Sequence, residues 1–175
     1  MKNINKIIII ILILSIALIF TTGCKEIETT EIIRIHIRAN SNSEMDQAVK
    51  YKVKDEIVKF IEPLAADIKT KSEMYELLEN NLSKIKEIAD KKLILEGKNY
   101  LSNVVLRTEE FPIRSYDDVT LPAGVYDALI IELGEAKGDN WWCVAYPPLC
   151  FLGATPNGTE YFTYKSKLLE ILKKG

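Results

Sequence analysis

The chain has 175 residues, 47% of them apolar, which is long enough for one ordinary domain and too short for two with separate cores. Setting aside Lys2 and Lys6 from the 23 basic residues leaves 21 against 25 acidic ones, a balance that disfavours nucleic acid as a partner. With Cys24 in the N-terminal segment set aside, one histidine and two cysteines leave a tetrahedral zinc site short of ligands unless carboxylates complete it, and no metal or other cofactor is expected.

Lys2 and Lys6 precede an apolar run from Ile7 to Phe20 broken only by Ser15, the pattern of a secretory signal peptide. The run is short for a permanent helix across ~30 Å of hydrocarbon, although counting from Ile4 or on to Gly23 leaves an uncleaved anchor open. Thr21-Thr22-Gly23-Cys24 follows, and small residues ending in Gly-Cys resemble a bacterial lipoprotein processing site, with Thr21 where such sites usually carry Leu. Residues 1–24 are therefore read as a signal peptide or a membrane or lipoprotein anchor, with Cys24 the lipidation site in the last case. Residues 25–31 read as a polar tether and 32–175 as a single domain outside the cytoplasm, where thiols can be oxidised.

Ile32 to Ala39 alternates, with Ile33, Ile35 and Ile37 on one side and Arg34, His36 and Arg38 on the other, as expected of a half-buried strand. Asn40-Ser41-Asn42-Ser43 breaks it, and Ser41 with Glu44 or Ser43 with Asp46 supplies a capping box for the next element. Met45, Val49, Val53, Ile57 and Ile61 then mark an amphipathic helix to Pro63, with Lys50, Lys52, Lys54 and Lys59 on its solvated side. Thr70 and Glu73 cap a second helix that carries Met74, Leu77, Leu78, Leu82, Ile85, Ile88 and Ala89 and ends near Gly97.

After Gly97 the period changes. Tyr100 to Thr108 reads as a strand stopped by Pro112, and Asp117-Asp118 with Leu121-Pro122-Ala123-Gly124 as a turn region. Glu109-Glu110 is expected to be loop-like and solvated. Val125 to Leu133 is almost continuously apolar, the pattern of a central strand covered on both faces. Gly134 to Gly138 is expected to make a hairpin, pairing that strand antiparallel with Trp141 to Tyr146. Tyr161 to Tyr164 suggests a last short strand, and Leu168, Leu169, Ile171 and Leu172 a terminal helix with Lys173 and Lys174 near its C-terminus. The expected fold is α+β: one domain, a mainly antiparallel sheet, two long helices between the first and second strands, and a short C-terminal helix.

Two sites carry chemistry on this reading. Trp141, Trp142, Cys143, Val144 and Tyr146 form a strand that Pro147-Pro148 cannot continue, since neither proline offers an N–H. Left extended, Cys143 and Cys150 would stand roughly 23 Å apart, whereas a disulfide needs Cα atoms within about 7 Å, and the prolines supply the place to turn back. Neighbours in a strand point to opposite faces, so one of the two tryptophans must lie away from the main core, covered by another element or offered to a partner. The alternative is a Cys/His thiol hydrolase acting on peptide or envelope material, with Cys143 or Cys150 as nucleophile and His36 as base.

Arg34-Ile35-His36-Ile37-Arg38-Ala39-Asn40-Ser41 followed by Asp46-Gln47-Ala48, then Leu121-Pro122-Ala123-Gly124-Val125-Tyr126-Asp127-Ala128-Leu129, then Asn140-Trp141-Trp142-Cys143-Val144-Ala145-Tyr146-Pro147-Pro148-Leu149-Cys150-Phe151 together resemble the stage II sporulation protein R family. The resemblance covers about residues 32 to 151 and implies a signalling role. Such proteins are made in the forespore, exported into the space between forespore and mother-cell membranes, and needed there for a membrane-embedded aspartic protease to process the sigma-E precursor. Catalysis would then lie in the partner. On this reading Asn140, Trp141, Trp142, Pro147 and Pro148 face or shape the partner surface, with His36, Arg38 and Asn40 on the neighbouring strand end.

Overall fold

The computed structural model describes residues 31–116, 119–151 and 167–172. The readings of residues 1–24, the 25–30 tether, Cys24, Asp117-Asp118, the strand at Tyr161–Tyr164 and the terminal Lys173 and Lys174 fall outside them. In order, the elements are β1 (Ile33–Arg38), α1 (Glu44–Ala65), α2 (Lys71–Leu95), β2 (Ser102–Phe111), β3 (Arg114–Tyr116), β4 (Val119–Leu121), β5 (Gly124–Leu133) and β6 (Asn140–Tyr146). A short 3-10 turn follows at Leu149–Phe151, and residues 167–172 are helical. The architecture is α+β, with two long helices between the first and second strands as the periodicities predict. No helix among the described residues is long and apolar enough to cross a membrane.

The four-stranded sheet has the order β2-β5-β1-β6, with β1 parallel to β5 and antiparallel to β6, and β2 antiparallel to β5. The expected β5–β6 hairpin does not form, because β1 lies between the two strands. The six residues from Gly134 to Asp139 suffice to step over one strand, since adjacent strands are only about 4.8 Å apart. The step is pinned to the end of β1 by bonds from Gly138 N to Ala39 O at 2.9 Å and from Lys137 N to Asn40 O at 3.2 Å.

This central placement also corrects the reading of β1 as half-buried: Arg34 is 0% and His36 4% exposed. Ile33, Ile35 and Ile37 pack under α1 and α2 against Val53, Ile57, Ile61, Met74, Leu78, Ile85 and Leu93. On the other face Ile32, Phe111, Val119, Leu121, Tyr126, Ala128, Ile130, Val144 and Leu168 make a second core. Its cover is the two-stranded ribbon β3–β4 and the 167–172 helix. Each fully buried Ile or Leu contributes about 2 kcal/mol of transfer free energy, and truncating Ile35 between the layers would cost about 3 kcal/mol.

The helices begin and end for identifiable reasons. Ser43 caps α1 by accepting from Asp46 N, and Thr70 with Glu73 forms the full capping box of α2. Helix α1 runs through Pro63 instead of ending there. A proline so near the end removes one backbone bond and leaves the last two residues helical. Helix α2 ends at Leu95 and is closed by Gly97, whose φ of 71° suits the left-handed closing residue, with Lys98 N bonded to Leu93 O and Gly97 N to Ile94 O. The apolar stripe of α1 is buried as expected at Val49, Val53, Ile57 and Ile61, but its first member, Met45, is 69% exposed, and Lys50, expected on the solvated side, is only 1% exposed. Lys50 is buried because its Nζ reaches across to Asp139 O and Gln47 Oε1.

Candidate functional site

The segment after β1 ties three parts of the chain together. Asn40 uses both ends of its amide: Nδ2 donates to Asp46 Oδ2, and Oδ1 accepts from Glu135 N at 2.9 Å. Asn42 Oδ1 accepts from Asp139 N, so the β5–β6 step is held at both ends by asparagines of the β1–α1 loop. Asp46 also receives Ser41 Oγ at 2.6 Å, Tyr100 OH at 2.7 Å and Lys98 Nζ at 2.8 Å. Burial works against its ionisation, but these donors outweigh it and hold the carboxyl far below its usual range. Burial, and then the same bond to Asp46, push the Tyr100 hydroxyl well up.

Beyond that anchor, the β1–β6 ladder sets Arg38 opposite Asn140 and His36 opposite Trp142 on one face, and Ile37 opposite Trp141 on the other. His36 Nδ1 bonds Glu109 Oε1 at 2.7 Å, and its ring lies 5.2 Å from that of Trp142 and 5.7 Å from that of Phe111. Burial lowers the pKa of His36 against the opposing pull of Glu109, so the ring is neutral at pH 7. Nδ1 then carries the proton given to Glu109. Glu109 also accepts from Arg38 and Arg107, and Arg38 and Arg107 both reach Glu132. Far from being solvated loop, Glu109 is a β2 residue with a side chain 15% exposed, although its neighbour Glu110 is exposed. Glu109 pairs in the ladder with Tyr126, four residues along β5 from Ile130, the partner of His36. Only a coiled β2–β5 ribbon that curls over the sheet can bring the two side chains together.

Arg34 completes this face. Its guanidinium lies 4.4 Å from the centroid of Phe111, 5.0 Å from Tyr126 and 5.6 Å from Tyr116, and Nη2 donates to Tyr116 OH at 2.8 Å. Aromatic faces attract a cation in this way. On the outer strand, Arg114 stacks 3.7 Å above the Trp142 ring.

Cys143 and Cys150 are joined by a disulfide, their Cα atoms 5.9 Å apart. The chain turns back through Pro147-Pro148, with a cis Tyr146–Pro147 peptide bond. Cys143 stands opposite Ile35, on the helix side, while His36 faces the ribbon side. The structure therefore does not bring the thiol–imidazole pair together: the two side chains leave opposite faces of the sheet, and the sulfur is bonded elsewhere. Among the described residues no group of three or more His, Cys, Asp or Glu side chains could hold a metal ion.

Of the residues expected to face a partner, Asn140 is exposed and Arg38, Trp141 and Trp142 are half-buried on the β1–β6 edge. The tryptophans divide between faces as their adjacency requires, Trp141 against the helix-side core and Trp142 against the other. Pro147 and Pro148 are buried, so they shape the edge instead of presenting themselves, and Asn40 serves the internal anchor. Sequence reasoning set Glu109 aside as solvated and did not single out Arg114; the partner of Glu109 is 73 residues away and that of Arg114 lies on another sheet. The alternating charges of β2 were the available signal for Glu109.

Residues 29–156 match the family model described as stage II sporulation protein R. The chain is 39% identical over 122 residues to the stage II sporulation protein R of Bacillus subtilis (strain 168). That alignment covers 70% of this chain and 54% of the relative, so the chain spans about half the length of the curated protein it matches. No solved structure matches.

Proposed function

The chain belongs to the stage II sporulation protein R family, and on that premise we propose that it is a non-enzymatic sporulation signal that switches on a membrane-embedded aspartic protease to process the sigma-E precursor. It would be made in the forespore and exported through its N-terminal segment. It would meet the protease in the space between forespore and mother-cell membranes. The family match over residues 29–156 is the observation that carries this reading.

The geometry supports binding over chemistry. His36 is neutral, enclosed by rings and bonded to Glu109, and the cysteine nearest in the ladder faces the other way. For such a ligand to activate a protease it must bind the active state more tightly than the inactive one. The β1–β6 edge with Arg38, Asn140, Trp141 and Trp142 is the surface this reading assigns to that contact.

The test is replacement of the resident family member in a sporulating bacterium by this chain. Conversion of the sigma-E precursor, followed by immunoblot, should be restored. Accumulation of unprocessed precursor despite exported, folded protein would refute the proposal.

A further inference from the structure

The two outer strands of the sheet are defended very differently. Strand β2 carries Asn103, Arg107, Glu109 and Glu110, and α2 closes on its first residue, with Lys86 Nζ bonded to Ser102 O and Asp90 Oδ1 to Ser102 N. Strand β6 reads Asn-Trp-Trp-Cys-Val-Ala-Tyr, seven residues without a charge. Among the described residues no strand pairs with its outer side. Exposed edges are normally guarded by charged residues, prolines or bulges, because alternate residues turn free N–H and C=O groups outward. Pro147 and Pro148 fall just past β6, and its one register irregularity sits at Ala145 near that end, so the stretch from Asn140 to Val144 carries no charge, proline or bulge.

A second observation concerns the face beside that edge. Arg34 Nε and Nη1, Arg114 Nε and Trp142 Nε1 are all buried without a hydrogen-bond partner among the described residues. Arg34 is 0% exposed, and its one hydrogen bond there is to a neutral phenol. Tyr116, which accepts from Arg34, lies two residues from Arg114 on β3. Buried N–H groups without acceptors are costly, and among the described residues no carboxylate accepts from these four groups. A strand added outside β6 would place the side chain opposite Trp142 on the same face as Trp142 and Arg114, with Cβ atoms about 5 Å apart.

We propose that β6 accepts an extended, acidic segment of a partner protein as an added strand, with one carboxylate received by Arg114 and the Trp142 indole N–H. Main-chain bonds to that edge supply the general affinity and the carboxylate sets the register. This rests on the reading that the chain acts by contacting a protein partner.

The experiment uses the purified, disulfide-bonded chain and three synthetic heptapeptides. The first is acetyl-Thr-Val-Thr-Glu-Thr-Val-Thr-amide, the second carries Gln for Glu, and the third is the Glu peptide N-methylated at alternate residues. Trp141 and Trp142 are the chain's two tryptophans, so intrinsic fluorescence reports on β6 alone. The Glu peptide should give a saturable change and the Gln peptide should bind roughly tenfold more weakly. The methylated peptide should not bind, and Arg114→Gln should erase the difference between the first two. Equal binding of Glu and Gln peptides, or no saturation with any, overturns the proposal. Amide exchange of the unbound protein gives the second measurement: alternate β6 amides should exchange fast and slow down with the Glu peptide. Uniform protection of β6 before any peptide is added would mean that the chain covers its own edge, and would also overturn it. No protease is present, so failure here is distinct from failure of precursor processing in the cell.

Discussion

His36 stands opposite Trp142 in the β1–β6 ladder with ring centroids 5.2 Å apart, while Cys143, one residue further along β6, faces the helices from the other side of the sheet. The period of two along a strand thus separates the imidazole from the nearest sulfur and joins it to an aromatic and carboxylate environment. The histidine becomes a buried structural base held by Glu109.

That environment makes stability depend on pH near neutrality. The folded pKa of His36 is depressed below its ordinary 6.5 by burial, so below that pH the unfolded chain takes up a proton that the native protein refuses. The contribution is present above about pH 6.5 and lost as pH falls through that value. The urea midpoint should therefore drop between pH 7 and 5.5, and the resonances of the single imidazole should titrate below 6.5 in the native protein. His36→Phe should flatten this part of the curve.

Asp46 governs the next stage of acid unfolding. Its carboxyl is held ionised far below the ordinary 3.8, so stability present above that pH is lost as pH falls below about 4. Asp46→Asn sets an amide N–H against the donors of Asn40, Lys98 or Tyr100, and should cost about 3 kcal/mol at pH 7 in urea denaturation. It should also make the acid limb of the pH–stability curve shallower.

The step from β5 to β6 depends on a close backbone approach. A Cβ at Gly138 would meet the backbone carbonyl of Ser41, which the Asn40–Asn42 anchor holds in place. At Gly97 the space is open and the positive φ is the only obstacle. Gly97→Ala should cost about 1 kcal/mol, and Gly138→Ala distinctly more, with changed amide shifts for Glu135 to Asn140 in NMR spectra.

Reducing the Cys143–Cys150 bond releases a closed loop of eight residues from Cys143 to Cys150. The chain-entropy relation puts its worth at roughly 2.5 kcal/mol. The Cys143→Ala, Cys150→Ala double variant should lose about that much in thermal or urea unfolding, and keep its native fold at low temperature.

The elements were legible where local rules decide. Thr70 and Glu73 capped α2 as their spacing said, and the almost continuous apolar run of β5, interrupted only by Asp127 and Glu132, marked a strand with neighbours on both sides. The alternation of β1 gave its two faces correctly but not its burial, because arginine and histidine read as solvent-facing when no rings are known to cover them. Phe111 and Tyr126, which enclose Arg34, lie 77 and 92 residues away in sequence. Local pattern also favoured a β5–β6 hairpin, since consecutive strands usually pair. What prevents it is Asn40 and Asn42 reaching the connecting turn from the far end of the chain. Of the surface proposed for the partner, Asn140 and the tryptophans could be read from strand adjacency, whereas Arg114 arrives over Trp142 only through the fold of the ribbon.

The most direct test is a reconstitution of precursor processing with the membrane protease and this chain, after alkylation and mass spectrometry have confirmed that Cys143 and Cys150 are bonded to each other. The account predicts that the bonded protein, with no free thiol in the Asn140–Phe151 peptide, drives conversion of the sigma-E precursor, and that His36→Gln retains it. Conversion that appears only after reduction, or that disappears with His36→Gln while the variant remains folded, would contradict a non-enzymatic signal.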